Sequence, residues 1–266
     1  AMAKCPEISI RRHSNLANNS FRPALSGSRI AGWQPNYRHL GQFAEAEKHY
    51  RLAIQSQETT RNKLKEDGDK VSYWQDKVKL YKDLISLLRY PAVQNQAVPK
   101  RAVPPKNDAI NAEVFQLAEQ WRARAFLDLL VEAGARSAPG NLNNPMQQPL
   151  GLPETQRLLD DQTVVLSYSL DQHGSLLFGV SRNKFEVYQL LGENDINECT
   201  AKLLKSLSDK TQGSPEGYRL EASTLYQKLI APARNLLAGK RHLIIVPDGV
   251  LQRLPFGALL KAPTKK

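Results

Sequence analysis

The chain has 266 residues, 41% hydrophobic and 24% charged with a net charge of +11, which is ordinary for a globular protein long enough to bury a core. No apolar run approaches the ~20 residues of a membrane span, and the basic first thirty residues lack the apolar core of a secretory signal. Two cysteines, Cys5 and Cys199, exclude a disulfide framework and lack metal-ligand spacing, so no metal or cofactor is implied and a reducing cytoplasm is the expected compartment.

Residues 1–30 are rich in Asn, Ser, Arg and Pro without periodicity and carry +4; they read as a flexible basic arm. Residues 31–90 read as helical. In YRHLGQFAEAEKHYRLAIQSQ (Tyr37–Gln57), Gly41 stands where two helices would turn. Phe43, Ala46, Tyr50 and Ala53 alternate bulky and small residues along one face, the pattern of closely packed helices. This segment resembles a tetratricopeptide (TPR) repeat, a resemblance that implies a protein or peptide partner. One repeat cannot bury its own core, so it reads as the end or remnant of an array. Val71, Trp74, Val78, Tyr81, Ile85 and Leu88 recur every three or four residues, which predicts a long helix over 69–89 with Asp69 as N-cap. Residues 31–107 carry +6 and residues 108–266 only +1. A basic half attracts nucleic acid or acidic proteins, but the charges of both signs are interleaved and no nucleic-acid motif is present, which argues against nucleic-acid binding.

Residues 91–107 are Pro-rich and read as a linker. Beyond it, Asp108 is the expected N-cap of a helix whose stripe is Ile110, Val114, Leu117, Trp121, Ala125 and Leu129, stopped at Gly134. Asn141–Pro153 reads as a loop. Thr163–Leu170, Ser175–Ser181 and Phe185–Leu191 read as strands joined by connections short enough for hairpins. Helices follow at Asp195–Ser208 and Glu221–Ala238, flanking a loop at 211–217, with Pro232 expected to break the second. Gly239 ends it. Leu243–Val246 is a β-branched apolar run that reads as a parallel-type strand buried on both faces, closed by Pro247-Asp248-Gly249.

Three segments carry a second resemblance: IIVPDGVLQRLPFGAL (Ile244–Leu259), LYQKLIAPARNLLAGKRHL (Leu225–Leu243) and AEVFQLAEQWRARAFLDLL (Ala112–Leu130). Together they resemble the CHAT domain, a caspase-like module found after TPR repeats in many bacterial proteins. The resemblance implies an α+β to α/β architecture: a TPR-like helical segment, then over 108–266 the first part of a caspase-like domain. That part would comprise an antiparallel meander, helices and one central parallel-type strand. The implied activity is that of a cysteine peptidase, with a catalytic His and Cys expected on strands beyond Lys266. An incomplete sheet of this kind implies self-association.

Inside the 266 residues no catalytic pair is legible. A cysteine nucleophile needs a cation or helix N-terminus and a base in reach; Cys199 falls mid-helix beside Glu198, and Cys5 lies in the arm. His39 and His49 belong to the TPR-like helices, where packing or exposure explains them, His13 lies in the arm and His173 in a hairpin turn. His242 and Asp248 bracket one strand, which separates them by roughly 20 Å. There is no phosphate loop, zinc motif or nucleophile elbow. Asp248 and Gln252 are the candidate substrate-binding residues, because ligands of open α/β sheets gather beyond the carboxyl ends of strands; the competing reading of Asp248 is a turn-forming Asp-Gly. Two functional readings follow: the front portion of a TPR-linked CHAT peptidase without its catalytic dyad, or a non-catalytic adaptor or pseudo-peptidase scaffold.

Overall fold

The computed structural model describes residues 42–63, 78–89, 107–132, 150–172, 174–208 and 215–262. The expected basic arm, the linker up to Lys106, Gly41, Asp69, Val71 and Trp74 lie outside them. The chain is mixed helix and sheet. Helix α1 (Phe43–Lys63) presents Ala46, Tyr50 and Ala53 to the core at 0, 2 and 0% exposure, the face expected of the TPR-like pattern. Helix α2 (Val78–Arg89) buries Leu80, Tyr81, Leu84, Ile85, Leu87 and Leu88, a broader face than a single stripe. It packs between α1 and α3 (Asp108–Glu132). On α3 the buried residues, among those whose side chains are described, are Val114, Phe115, Leu117, Ala118 and Trp121; the side chains of Ala125 and Leu129, and Gly134, lie outside them.

The N-cap of α3 is Asn107, not Asp108. Its Oδ1 accepts the N–H groups of Ala109 (3.1 Å) and Ile110 (3.2 Å), satisfying two donors that no helical carbonyl can reach. A short helix α4 (Leu152–Leu158), with proline in its first turn, begins in the last two residues of the expected loop Asn141–Pro153. The three strands of the meander form as expected, as β1 (Thr163–Ser169), β2 (Leu176–Ser181) and β3 (Lys184–Gln189). Next come α5 (Glu193–Ser208), α6 (Pro215–Leu229), a 3-10 turn at Ala231–Ala233, α7 (Arg234–Leu237) and β4 (His242–Val246). The break between α6 and α7 falls at Pro232, whose ring cannot join the helical ladder. Gly239, at φ 74, makes the left-handed turn that ends α7.

The sheet order is β3-β2-β1-β4, antiparallel except for the parallel pair β1–β4, in which Ser167 stands opposite Val246. Helices cover both faces. Val165, Phe178 and Val180 face α1–α3, with the Phe115 ring edge-on to Phe178 at 5.4 Å. Val164, Leu166, Tyr168 and Leu177 face the other way, onto Ile196, Leu203, Leu225 and Leu229 of α5 and α6.

β4 corrects one expectation. It is parallel to β1, but it is not buried on both faces: Leu243 is 43% and Ile244 47% exposed. The strands that are buried through are β1 and β2. Among the described residues β4 lies at the sheet edge, and an edge strand lacks the neighbour that would cover its apolar side chains.

Candidate functional site

The carboxyl ends of β1 and β4 lie side by side because the two strands are parallel. Pro247 ends the β4 ladder, since it has no N–H to donate. Asp248 continues in extended conformation and turns its side chain inward, 4% exposed, where Oδ2 accepts the Leu170 N–H at 2.7 Å. The carboxylate therefore closes the end of β1, a charge-assisted hydrogen bond in a buried position. Gly249 then turns at φ 53, and the Asp248 carbonyl accepts the Leu251 N–H at 3.0 Å to start a 3-10 turn, Gly249–Arg253. Leu251 is fully buried, whereas Gln252 and Arg253 face solvent. The chain beyond is held down by the Phe256 ring against Tyr168 (5.7 Å) and by Tyr218 Oη donating to the Ala258 carbonyl (2.7 Å). Of the two sequence candidates, Gln252 is exposed and Asp248 is inward; both belong to the same turn.

Two further groups at this end of the sheet were not legible beforehand. On α3, Arg122 donates to Ser167 Oγ (3.1 Å) and to the Tyr168 carbonyl (2.6 Å), and Ser167 Oγ donates to Glu119 (2.9 Å). Arg122 and Glu119 also form an ion pair, which fastens α3 to the end of β1. Their spacing of three on one helix is the only local signal; the serine lies more than forty positions away. Between α2 and the β1–β2 turn lies only a small hollow of about 10 Å³, with Lys82, Ser86, Arg89, Ser169 and Asp171 on its walls. Arg89 is 2% exposed and donates to Asn111 Oδ1 of α3.

The thiol lies elsewhere. Cys199 is half-buried on α5, and its Sγ accepts a hydrogen bond from Lys228 Nζ of α6 at 2.9 Å. Glu198, its neighbour in sequence, is paired with Lys202 at 2.7 Å, and this partner holds the Glu198 carboxyl below its ordinary value. His49 is on α1 and His242 is exposed on β4. Among the described residues no imidazole is bonded to Cys199, no group of three or more His, Cys, Asp or Glu is arranged to hold a metal ion, and no helix is long and apolar enough to cross a membrane. Cys5, His13, His39 and His173 lie outside the described residues.

Residues 219–265 match the family model of the CHAT domain. The matched stretch runs from α6 through α7 and β4 to the turns beyond, and includes Asp248 and Gln252. The match points to a caspase-like peptidase family. No curated protein and no solved structure matches the chain.

Proposed function

We propose that residues 108–266 are the N-terminal portion of a CHAT-type cysteine peptidase domain, carried on a TPR-like helical segment over residues 31–90, and that these 266 residues cleave nothing by themselves. In the complete protein this arrangement serves protein–protein interaction and proteolytic signalling in the cytoplasm. The observation that carries the reading is the parallel β1–β4 pair with the Asp248 turn at its carboxyl end, inside the segment that matches the CHAT family. Substrates of open α/β sheets are met at such a position. Gln252, exposed on that turn, would meet a substrate from solvent, while Asp248 fixes the turn on β1. The proposed lack of activity rests on Cys199, which is bonded to a lysine and to no imidazole among the described residues.

Incubation of the purified chain with fluorogenic peptide libraries and with casein should give no cleavage above background. Cleavage abolished by Cys199→Ala would overturn the proposal. A second reading is a non-catalytic adaptor or pseudo-peptidase scaffold holding a protein or peptide partner, which the resemblance of Tyr37–Gln57 to a TPR repeat would imply. The reading frame after codon 266 separates the two. A His-Gly segment followed by a Cys supports the peptidase; a stop codon supports the scaffold.

A further inference from the structure

Helices α5 and α6 pack side by side over one face of the sheet, anchored by Ile196, Leu203, Leu225 and Leu229, each at most 1% exposed. At the rim of that contact stand two reactive groups. Cys199 follows Ile196 by three positions and precedes Leu203 by four, so it sits half-buried at the edge of the apolar stripe. Lys228 precedes Leu229 and is part-buried with its Nζ 2.9 Å from Cys199 Sγ. That separation is already within the range of reacting atoms held for attack. The neighbouring carboxylate, Glu198, is engaged by Lys202, and Glu221 of α6 acts on Lys202 as well. The lysine is what distinguishes this thiol from an ordinary half-buried cysteine: a second reactant is held in place on another helix.

We propose that a hydroperoxide converts this pair into a covalent sulfenamide cross-link between α5 and α6. In the first step the O–O bond of the hydroperoxide breaks and an S–O bond forms at Cys199, giving a sulfenic acid and releasing an alcohol, or water when the oxidant is hydrogen peroxide. Sulfur loses two electrons and the peroxide gains them. In the second step Lys228, after losing a proton to solvent, attacks sulfur through its nitrogen lone pair. The S–O bond breaks, hydroxide leaves and takes up the second nitrogen proton as water, and an S–N bond remains. A thiol reductant reverses the link by attack on the sulfur. Both side chains are partly open to solvent, so a small peroxide reaches them. The bond would join positions 29 residues apart, and closing that loop restricts the unfolded chain.

The test is mass spectrometry of the full chain after exposure to hydrogen peroxide, in buffer and in urea. The folded protein should become about 2 Da lighter. Digestion should release one cross-linked peptide pair containing Cys199 and Lys228, lost on treatment with dithiothreitol, and the melting temperature should rise by several degrees. A Cys5→Ser background should retain the link, which excludes a disulfide as the source of the mass loss. Lys228→Arg, which keeps the cation, should abolish the link, as should unfolding in urea. Stepwise oxygen addition at Cys199 without the cross-linked peptide would overturn the proposal. So would a mass loss that disappears in Cys5→Ser or persists in Lys228→Arg.

Discussion

At Asp248 a residue first read as a substrate contact is also a fastening for the sheet. Its Oδ2 is bonded to the Leu170 N–H in a position 4% exposed to solvent. A buried backbone donor left without a partner costs about 1–3 kcal/mol. Asp248→Ala should therefore lower unfolding stability by about that amount, and Asp248→Asn by less, because its amide oxygen still accepts the bond. Gln252→Ala, on the exposed side of the same turn, should stay within about 0.5 kcal/mol. Urea unfolding of the three variants checks the order; an Asp248→Ala protein as stable as the parent would show that Leu170 has no need of the carboxylate. Local residue chemistry pointed to the turn because Pro-Asp-Gly is a strong signal over three residues. The same scale of reading misplaced the α3 cap by one position, since Asn107 and Asp108 are adjacent and cap almost equally well. It also missed Lys228 beside Cys199, because the partner is on another helix and nothing within Cys199's own turn announces it.

Between elements, the join that decides the middle of the molecule is Tyr168 of β1 with the end of α6. The phenol is fully buried and donates to the Leu229 carbonyl at 3.1 Å, just before Pro232 breaks the helix. A carbonyl near a helix end has no ladder partner, and the tyrosine supplies one. Burial holds the phenol neutral, with its pKa raised well above the ordinary 10.0. The sign follows: the folded protein keeps this proton while the unfolded chain releases it, so the stability is fully present below pH 10 and is lost as pH climbs beyond it. The slope from one such group is about 1.4 kcal/mol per pH unit. Tyr188, raised by burial and by its hydrogen bond to Glu186, acts in the same direction but more weakly, because it is only partly buried and solvent screens it. Tyr168→Phe should cost about 1 kcal/mol near neutrality and make the alkaline decline of the unfolding midpoint shallower; an unchanged decline would mean that the hydroxyl is not held neutral. The elements themselves were largely readable. The β1–β3 meander follows from short apolar and aromatic runs with short connections, and the break at Pro232 is a property of one residue. Helix α4 escaped because seven residues opening on Leu-Pro carry too little periodicity to register.

For the molecule as a whole, the feature that sequence patterning could not rank is which strand ends up at the edge. An apolar β-branched run looks the same whether neighbours cover it or not, because strand order is a tertiary property. Here the run in β4 is paired with β1 on one side, and its outer side leaves alternate backbone groups and the half-exposed Leu243 and Ile244 in water. Such an edge is a template for another strand, and covering two half-exposed aliphatic side chains favours association by about 1 kcal/mol each. Lys240 and Arg241 at the start of the strand oppose this only at one end. The isolated chain should therefore self-associate through β4 as its concentration rises, seen as an increasing weight-average mass in sedimentation. Ile244→Lys, which places a charge in the middle of the edge, should return it to monomer without unfolding the sheet, because that position is already 47% exposed. Hydrogen exchange reads the same edge directly: in the Ile244→Lys monomer the outward amides of Leu243–Val246 should exchange fast, while those of β1 and β2 stay protected. A parent chain that remains monomeric with slow exchange throughout Leu243–Val246 would mean the edge is already covered, and the association would have to be abandoned.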